Sequence, residues 1–198
     1  MSVEIEFDME KEVLKSFENL TQSSIFPSNQ EKELEKLRSI GFPNRNSENW
    51  KYTKLSKLYK KKFTDPKSAD LKVFPVSKLP NISASTIVLE NGIINKHLTC
   101  VDQTEGLEIS FFSSNSSEIE SKINHTTSKY EDAFTCLNSY LLNEGVYIKV
   151  RKNTQITQPI HIVNIVTNSG VAVNSRLNLE LEKFSELTVL QSFIGPNS

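Results

Sequence analysis

Glu48, Trp50, Lys51 and Tyr52 set a carboxylate, two aromatic rings and an ammonium within five residues. Such a group could be a recognition surface, with Lys51 as its charge. The structural reading is preferred: Trp50 buries against the N-terminal helices with its N–H on a backbone carbonyl, and Glu48 caps the following turn. Lys51, Lys54, Lys57, Lys60, Lys61 and Lys62 follow as a basic run interleaved with Tyr52 and Tyr59. This could serve a nucleic acid or an anionic lipid. With no arginine cluster or nucleic-acid-binding motif to support it, the run reads as a solvated helix face whose Leu55 and Leu58 lie on the other side.

His97 and Cys100 have a ligand-like H-x-x-C spacing, but zinc or iron needs further ligands at fixed geometry. Cys136 is the other cysteine, and no second such pair exists. Glu180 and Glu182 share one side of a strand, and paired acids can hydrolyse glycosides across a cleft. Alternation with Leu179 and Leu181 puts them on a wet face instead, and residues 146–198 contain no aspartate for a calcium-dependent lyase. His161, between Ile160 and Ile162, reads as a surface histidine able to titrate near neutral pH. No serine or cysteine sits in an elbow-type motif, and six glycines form no phosphate loop. Catalytic, cofactor-binding and metal-binding residues are therefore expected to be absent.

The elements that must position these residues follow from pattern. The chain has 198 residues, 37% hydrophobic and 24% charged, enough for a packed core in one large or two small domains. A formal net charge of −1 gives no electrostatic case for nucleic acid. No run approaches the roughly 20 apolar residues that span a bilayer. The acidic N-terminus lacks a signal peptide's basic and apolar regions, and the sparse cysteines fit a reducing compartment. A cytoplasmic protein without membrane attachment is expected.

Met9, Val13, Phe17 and Leu20 mark one face of a first helix that Asp8 could cap. Ser28 and Glu31 form a capping-box pattern before Leu34, Leu37 and Ile40, and Gly41 and Pro43 end that second helix. Ser85–Leu89 and the Asn91-Gly92 dipeptide predict a hairpin, and Leu107–Phe112 a strand. A helix is expected from about Tyr130 to Asn143, with Phe134, Leu137 and Leu141 on one face and Gly145 at its end. From Val146 onward, strict alternation (Val146, Ile148, Val150; Ile160, Ile162; Leu177, Leu179, Leu181; Leu187, Val189) predicts strands with one buried face. Period alone leaves a sandwich, a barrel and a β-helix open. The stop soon after a strand at Phe193–Ser198 reads as a truncated chain.

Two stretches resemble the SufB/SufD family of iron–sulfur cluster assembly proteins. Gly41-Phe42-Pro43 followed by Glu48-Asn49-Trp50-Lys51-Tyr52-Thr53 looks like the family's Gly-x-Pro, polar spacer and Glu-x-Trp-Lys-Tyr-Thr. The segment with Phe134, Leu137 and Asn138, then Glu144-Gly145-Val146-Tyr147, is similar to the lead into the family's β-helix. Weaker similarity runs through Gln158–Ile162 and Ser175–Ile194, and the hairpin also fits, so about two thirds of the chain is covered in order. The helical region before Trp50 points to the SufD branch.

The resemblance implies a non-catalytic scaffold that pairs with SufB, with SufC ATPase docked on each, in the SufBCD complex. An iron–sulfur cluster would belong to the complex and no cofactor to this fragment. The motif residues Gly41, Pro43, Glu48, Trp50, Lys51, Tyr52, Thr53, Phe134, Leu137, Asn138 and Gly145 are expected to be structural. Family residues of the SufB interface and the SufC docking surface lie beyond Ser198 and carry over to no position. The implied fold is α+β: helical residues 1–84, a mixed segment 85–145, then the start of a right-handed parallel β-helix over 146–198. A SufB-like paralogue and a carbohydrate-active β-helix protein are the competing expectations.

Overall fold

A computed structural model describes residues 3–20, 24–44, 46–67, 71, 82–114, 116–127 and 132–196. Helix α1 spans Val3–Glu18 and α2 spans Pro27–Ile40. Val13 and Phe17 of α1 and Leu37 of α2 enter one core with Leu14, Leu20 and Leu34 at its margin, as the helical spacing requires. Asp8 lies inside α1 and not at its start; its side chain and that of Met9 fall outside the described residues.

The expected capping box does not form. Phe26 holds the N-cap position without a side-chain bond, and Pro27 follows at the first helical position, where its missing N–H costs nothing. Ser28 donates instead to Glu120. Gly41 does close α2: at φ 70° its N–H donates to the Leu37 carbonyl at 2.9 Å. A short helix, α3, covers Ser56–Tyr59, and α4 and α5 cover Ser116–Thr127 and Ala133–Tyr140. Helix α5 is thus shorter than its expected span, whose start at Tyr130 lies outside the described residues. It begins at Asp132, whose carboxylate accepts from the N–H groups of Phe134 and Thr135.

The strands are β1 (Ser85–Glu90), β2 (Ile93–Ile94), β3 (Leu107–Phe111), β4 (Glu144–Val150), β5 (Gln155–Ile165), β6 (Ser175–Leu181) and β7 (Glu186–Ile194). They form one sheet in the order β2-β1-β5-β7 and another in the order β3-β4-β6. Asn91 and Gly92, at φ 49° and 76°, make the expected tight turn and pair Leu89 with Ile94. Ile87, Leu89, Val146, Ile148, Ile160 and Ile162 bury between the sheets, each contributing about 2 kcal/mol of burial.

The expected start of a right-handed parallel β-helix is overturned. Both sheets are mixed: β5 runs parallel to β1 and β7, and β6 parallel to β4, but β2 runs antiparallel to β1 and β3 antiparallel to β4. The structure is a small α/β fold with two mixed sheets. The alternating segments do form strands, with Leu179 and Leu181 exposed rather than in the buried face, but period 2 is common to parallel and antiparallel sheets and says nothing of how strands coil.

Two further expectations change for the same reason of neighbours. Tyr147, which alternates with Val146 and Ile148 and so points to the other face of β4, is not open to solvent but buried with Phe26, Phe112, Ile119, Ile123 and Leu142. Gly145 does not end a helix; it sits in β4. A Cβ there would meet a ring carbon of Phe112 and the carbonyl oxygen of Arg176, each at 2.6 Å, so close packing of strand and ring requires glycine. Strands β6 and β7 are outer strands of their sheets, and Leu179, Leu181 and Phe193 on them are exposed.

Candidate functional site

The segment after α2 builds the first wall of the site. Phe42 is buried beside Phe17, Tyr59 and Phe134, and the Tyr59 hydroxyl donates to the Pro43 carbonyl. The backbone then turns through a single 3₁₀ turn, Glu48–Trp50, with the Trp50 N–H on the Ser47 carbonyl at 2.8 Å. This presents the Trp50 ring to Phe134 of α5, centroid to centroid 4.9 Å at 48°. Trp50 is therefore half-buried on α5, not buried on the N-terminal helices as expected. Glu48 does not cap a turn; it is exposed and pairs with Lys51 at 2.6 Å.

Helix α5 supplies the floor. Asn138 lies one helical turn after Phe134 and on the same face. Its side-chain oxygen accepts from Nε and Nη2 of Arg176 at 2.9 and 2.6 Å, and its amide donates to the Ser175 carbonyl at 3.2 Å. Ser139 Oγ accepts a further bond from Nη2 at 3.0 Å. Trp50, Asp132, Phe134, Thr135, Asn138 and Arg176 line a cavity of about 460 Å³. Burial pulls the Arg176 guanidinium below its ordinary pKa, with the Glu33 carboxylate opposing. Arg176 makes no ion pair among the described residues.

Of the expected motif residues, the fold thus brings together Trp50, Phe134 and Asn138. Gly41, Pro43 and Leu137 lie behind them as cap and core, and Gly145 lies in β4. Lys51, Tyr52 and Thr53 point to solvent, with Tyr52 90% exposed. Arg176 was missed. It is one of four arginines in the chain and stands alone in an uncharged run at the start of an alternating strand, a weak signal that the long sequence separation from Trp50 hides.

The remaining candidates have structural settings. The His97 N–H donates to Asn95 Oδ1, closing a turn, and Cys100 is exposed. Among the described residues no group of three or more His, Cys, Asp or Glu is arranged to hold a metal ion. Glu180 and Glu182 do share a face, and Lys149 reaches both, at 3.0 and 2.9 Å. Their hydrogen bonds, Glu182 first, raise the Lys149 ammonium, and Glu180 in turn is lowered chiefly by the Tyr147 hydroxyl that donates to it.

His161 is not on the surface. It is 4% exposed in the central strand β5, 2.8 Å from Ser192 Oγ. Burial lowers its pKa below the ordinary 6.5. The unfolded chain then binds the proton more readily than the folded one, so stability is full above about pH 6.5 and falls as pH drops through the folded value. Urea melts between pH 7.5 and 5 are expected to lose stability in that window, and a His161→Gln variant to lose less of it.

The two cysteines differ as nucleophiles. Cys136 is buried in the helical core, and burial, with Glu33 next, raises its thiol to about 11. A protonated, enclosed thiol reacts slowly. In native protein, a thiol reagent such as dithionitrobenzoate is expected to titrate one sulfhydryl fast, Cys100, and Cys136 only on unfolding.

These motifs and this geometry have a counterpart among known proteins. Residues 10–162 match the family described as the SufBD protein N-terminal region, and the chain belongs to that family. A curated relative is an iron–sulfur cluster assembly SufBD family protein of Synechocystis sp., 23% identical over 95% of this chain. The chain spans 44% of that relative's length. Among the described residues no helix is long and apolar enough to cross a membrane.

Proposed function

We propose that this chain is the N-terminal part of a non-catalytic scaffold subunit for iron–sulfur cluster assembly, of the SufD type, held in a complex with SufB and SufC. The observation that supports this most is the family match over residues 10–162, which includes both motifs read from the sequence. The thiol settings agree with it: Cys136 is enclosed and protonated, and Cys100 stands apart from it on the surface. In this reading the subunit works in the cytoplasm, without membrane or nucleic acid, and contributes binding surface. The iron–sulfur cluster is the cargo of the whole complex, and ATP hydrolysis belongs to SufC.

Affinity purification of the tagged full-length protein from its native cells tests this. SufB and SufC are expected to be retained through a salt wash. Recovery of SufD in place of SufB would make this chain the SufB-type paralogue, and recovery of neither would overturn the reading.

A further inference from the structure

The cavity beside Trp50 is lined by a cation, Arg176, that makes no direct ion pair among the described residues; the Glu33 carboxylate that acts on it is itself paired with Lys36. Arg176 is half-buried and its orientation is fixed through Nε and Nη2 by Asn138 and Ser139. Its Nη1 makes no hydrogen bond among the described residues. Among the described residues the one carboxylate lining the cavity, Asp132, is occupied at the start of α5, where it accepts from Phe134 N–H, Thr135 N–H and the Thr135 hydroxyl. A fixed, partly desolvated guanidinium whose Nη1 alone is left free can donate a charge-assisted hydrogen bond from that nitrogen to a carboxylate.

The wall opposite is apolar. Trp50 and Phe134 meet there at a tilt and leave the Trp50 ring half-exposed. Tryptophan and arginine are also the residue types that most often dominate binding surfaces. The chain that leaves Trp50 is basic: Lys54, Lys57, Lys60, Lys61 and Lys62 are all exposed, and none makes an ion pair among the described residues.

We propose that this pocket docks an acidic peptide segment of a partner protein, which seats an apolar side chain against Trp50 and a carboxylate on Arg176, with further acidic residues along the lysines. The apolar wall is what favours a peptide over a phosphate-bearing ligand, since phosphate would use Arg176 and the lysines but leave Trp50 idle. Asn138 is then a positioning residue that turns the guanidinium toward the ligand. The inference goes beyond the scaffold role and does not require it, because the pocket stands on its own residues.

Fluorescence anisotropy of the full chain with labelled Glu-Glu-X-Glu-Glu peptides, X being Leu, Phe or Gly, is the test. Saturable binding is expected for Leu and Phe, at least tenfold weaker for Gly. Arg176→Gln is expected to weaken the Leu peptide at least tenfold, and Trp50→Ala likewise. The double variant Lys54→Glu/Lys57→Glu touches no packed side chain; it should weaken binding several-fold and flatten its salt dependence, which keeps the test decisive if Arg176→Gln misfolds. The proposal is overturned if no peptide binds, if Leu and Gly peptides bind equally, or if inorganic phosphate or a single-stranded oligonucleotide displaces the Leu peptide at equal concentration.

Discussion

Replacing Gly145 with valine will destabilise the protein by about 3 kcal/mol or more in urea melts, the scale of overpacking in a site that cannot yield. Gly145 lies in β4 between two fixed neighbours. On one side the ring of Phe112, itself fully buried, packs onto the Gly145 backbone; on the other the carbonyl oxygen of Arg176 stands 2.6 Å from where a Cβ would be. Even alanine must push one of them away.

The two neighbours can be separated by experiment. Phe112→Leu in the alanine variant removes the ring edge but not the backbone oxygen, which belongs to the β4–β6 ladder that pairs Gly145 with Arg176. Partial rescue, of about 1 kcal/mol, is therefore expected in a double-mutant cycle. Full rescue would mean that the ring alone excludes a side chain, and no rescue would place the whole conflict at the β6 backbone.

Leu37→Ala is expected to cost about 3 kcal/mol, with little change in the denaturant slope. Leu37 has no exposed surface and sits where α2 packs on α5, in the core that also holds Val13, Phe17, Phe42, Leu137 and Leu141. The cost comes from lost burial plus the cavity left in a tightly filled helix pair. The effect should reach the candidate site, because α5 carries Phe134 and Asn138 and the chain leaving α2 carries Trp50. A red shift of the Trp50 emission in the folded variant, at low urea, would report that loosening. A cost under about 1 kcal/mol would mean that the helical core collapses around the gap.

Local patterns were legible because they rest on local physics. The Gly41 stop, the Asn91-Gly92 turn and the helical face of Val13 and Phe17 depend on residues a few positions apart, and the structure has them. So do the alternating strands, whose members Val146, Ile148, Ile160, Ile162, Leu177, Leu187 and Val189 share a core, although Leu179 and Leu181 on the outer strand β6 stay exposed. What failed needed knowledge of neighbours. His161 alternates as a wet-face residue would, yet strand β7 and its Ser192 cover it. Gly145 looked like a helix terminator because nothing in the sequence places the Phe112 ring beside it. The β-helix expectation came from family likeness, and the two mixed sheets replaced it once β2 and β3 were seen to run antiparallel. The candidate site was half visible: Trp50, Phe134 and Asn138 stood in the two motifs, but the guanidinium that gives the pocket its charge comes from β6.

On the proposed scaffold role, this chain holds partners and performs no thiol chemistry of its own. The most direct measurement is the iron and acid-labile sulfide content of the complex purified with a Cys100→Ser/Cys136→Ala chain in place of the natural one. The account predicts cluster content equal to that of the natural complex, given that the variant chain co-purifies at normal yield. A complex that assembles at normal yield but has lost its cluster would contradict it.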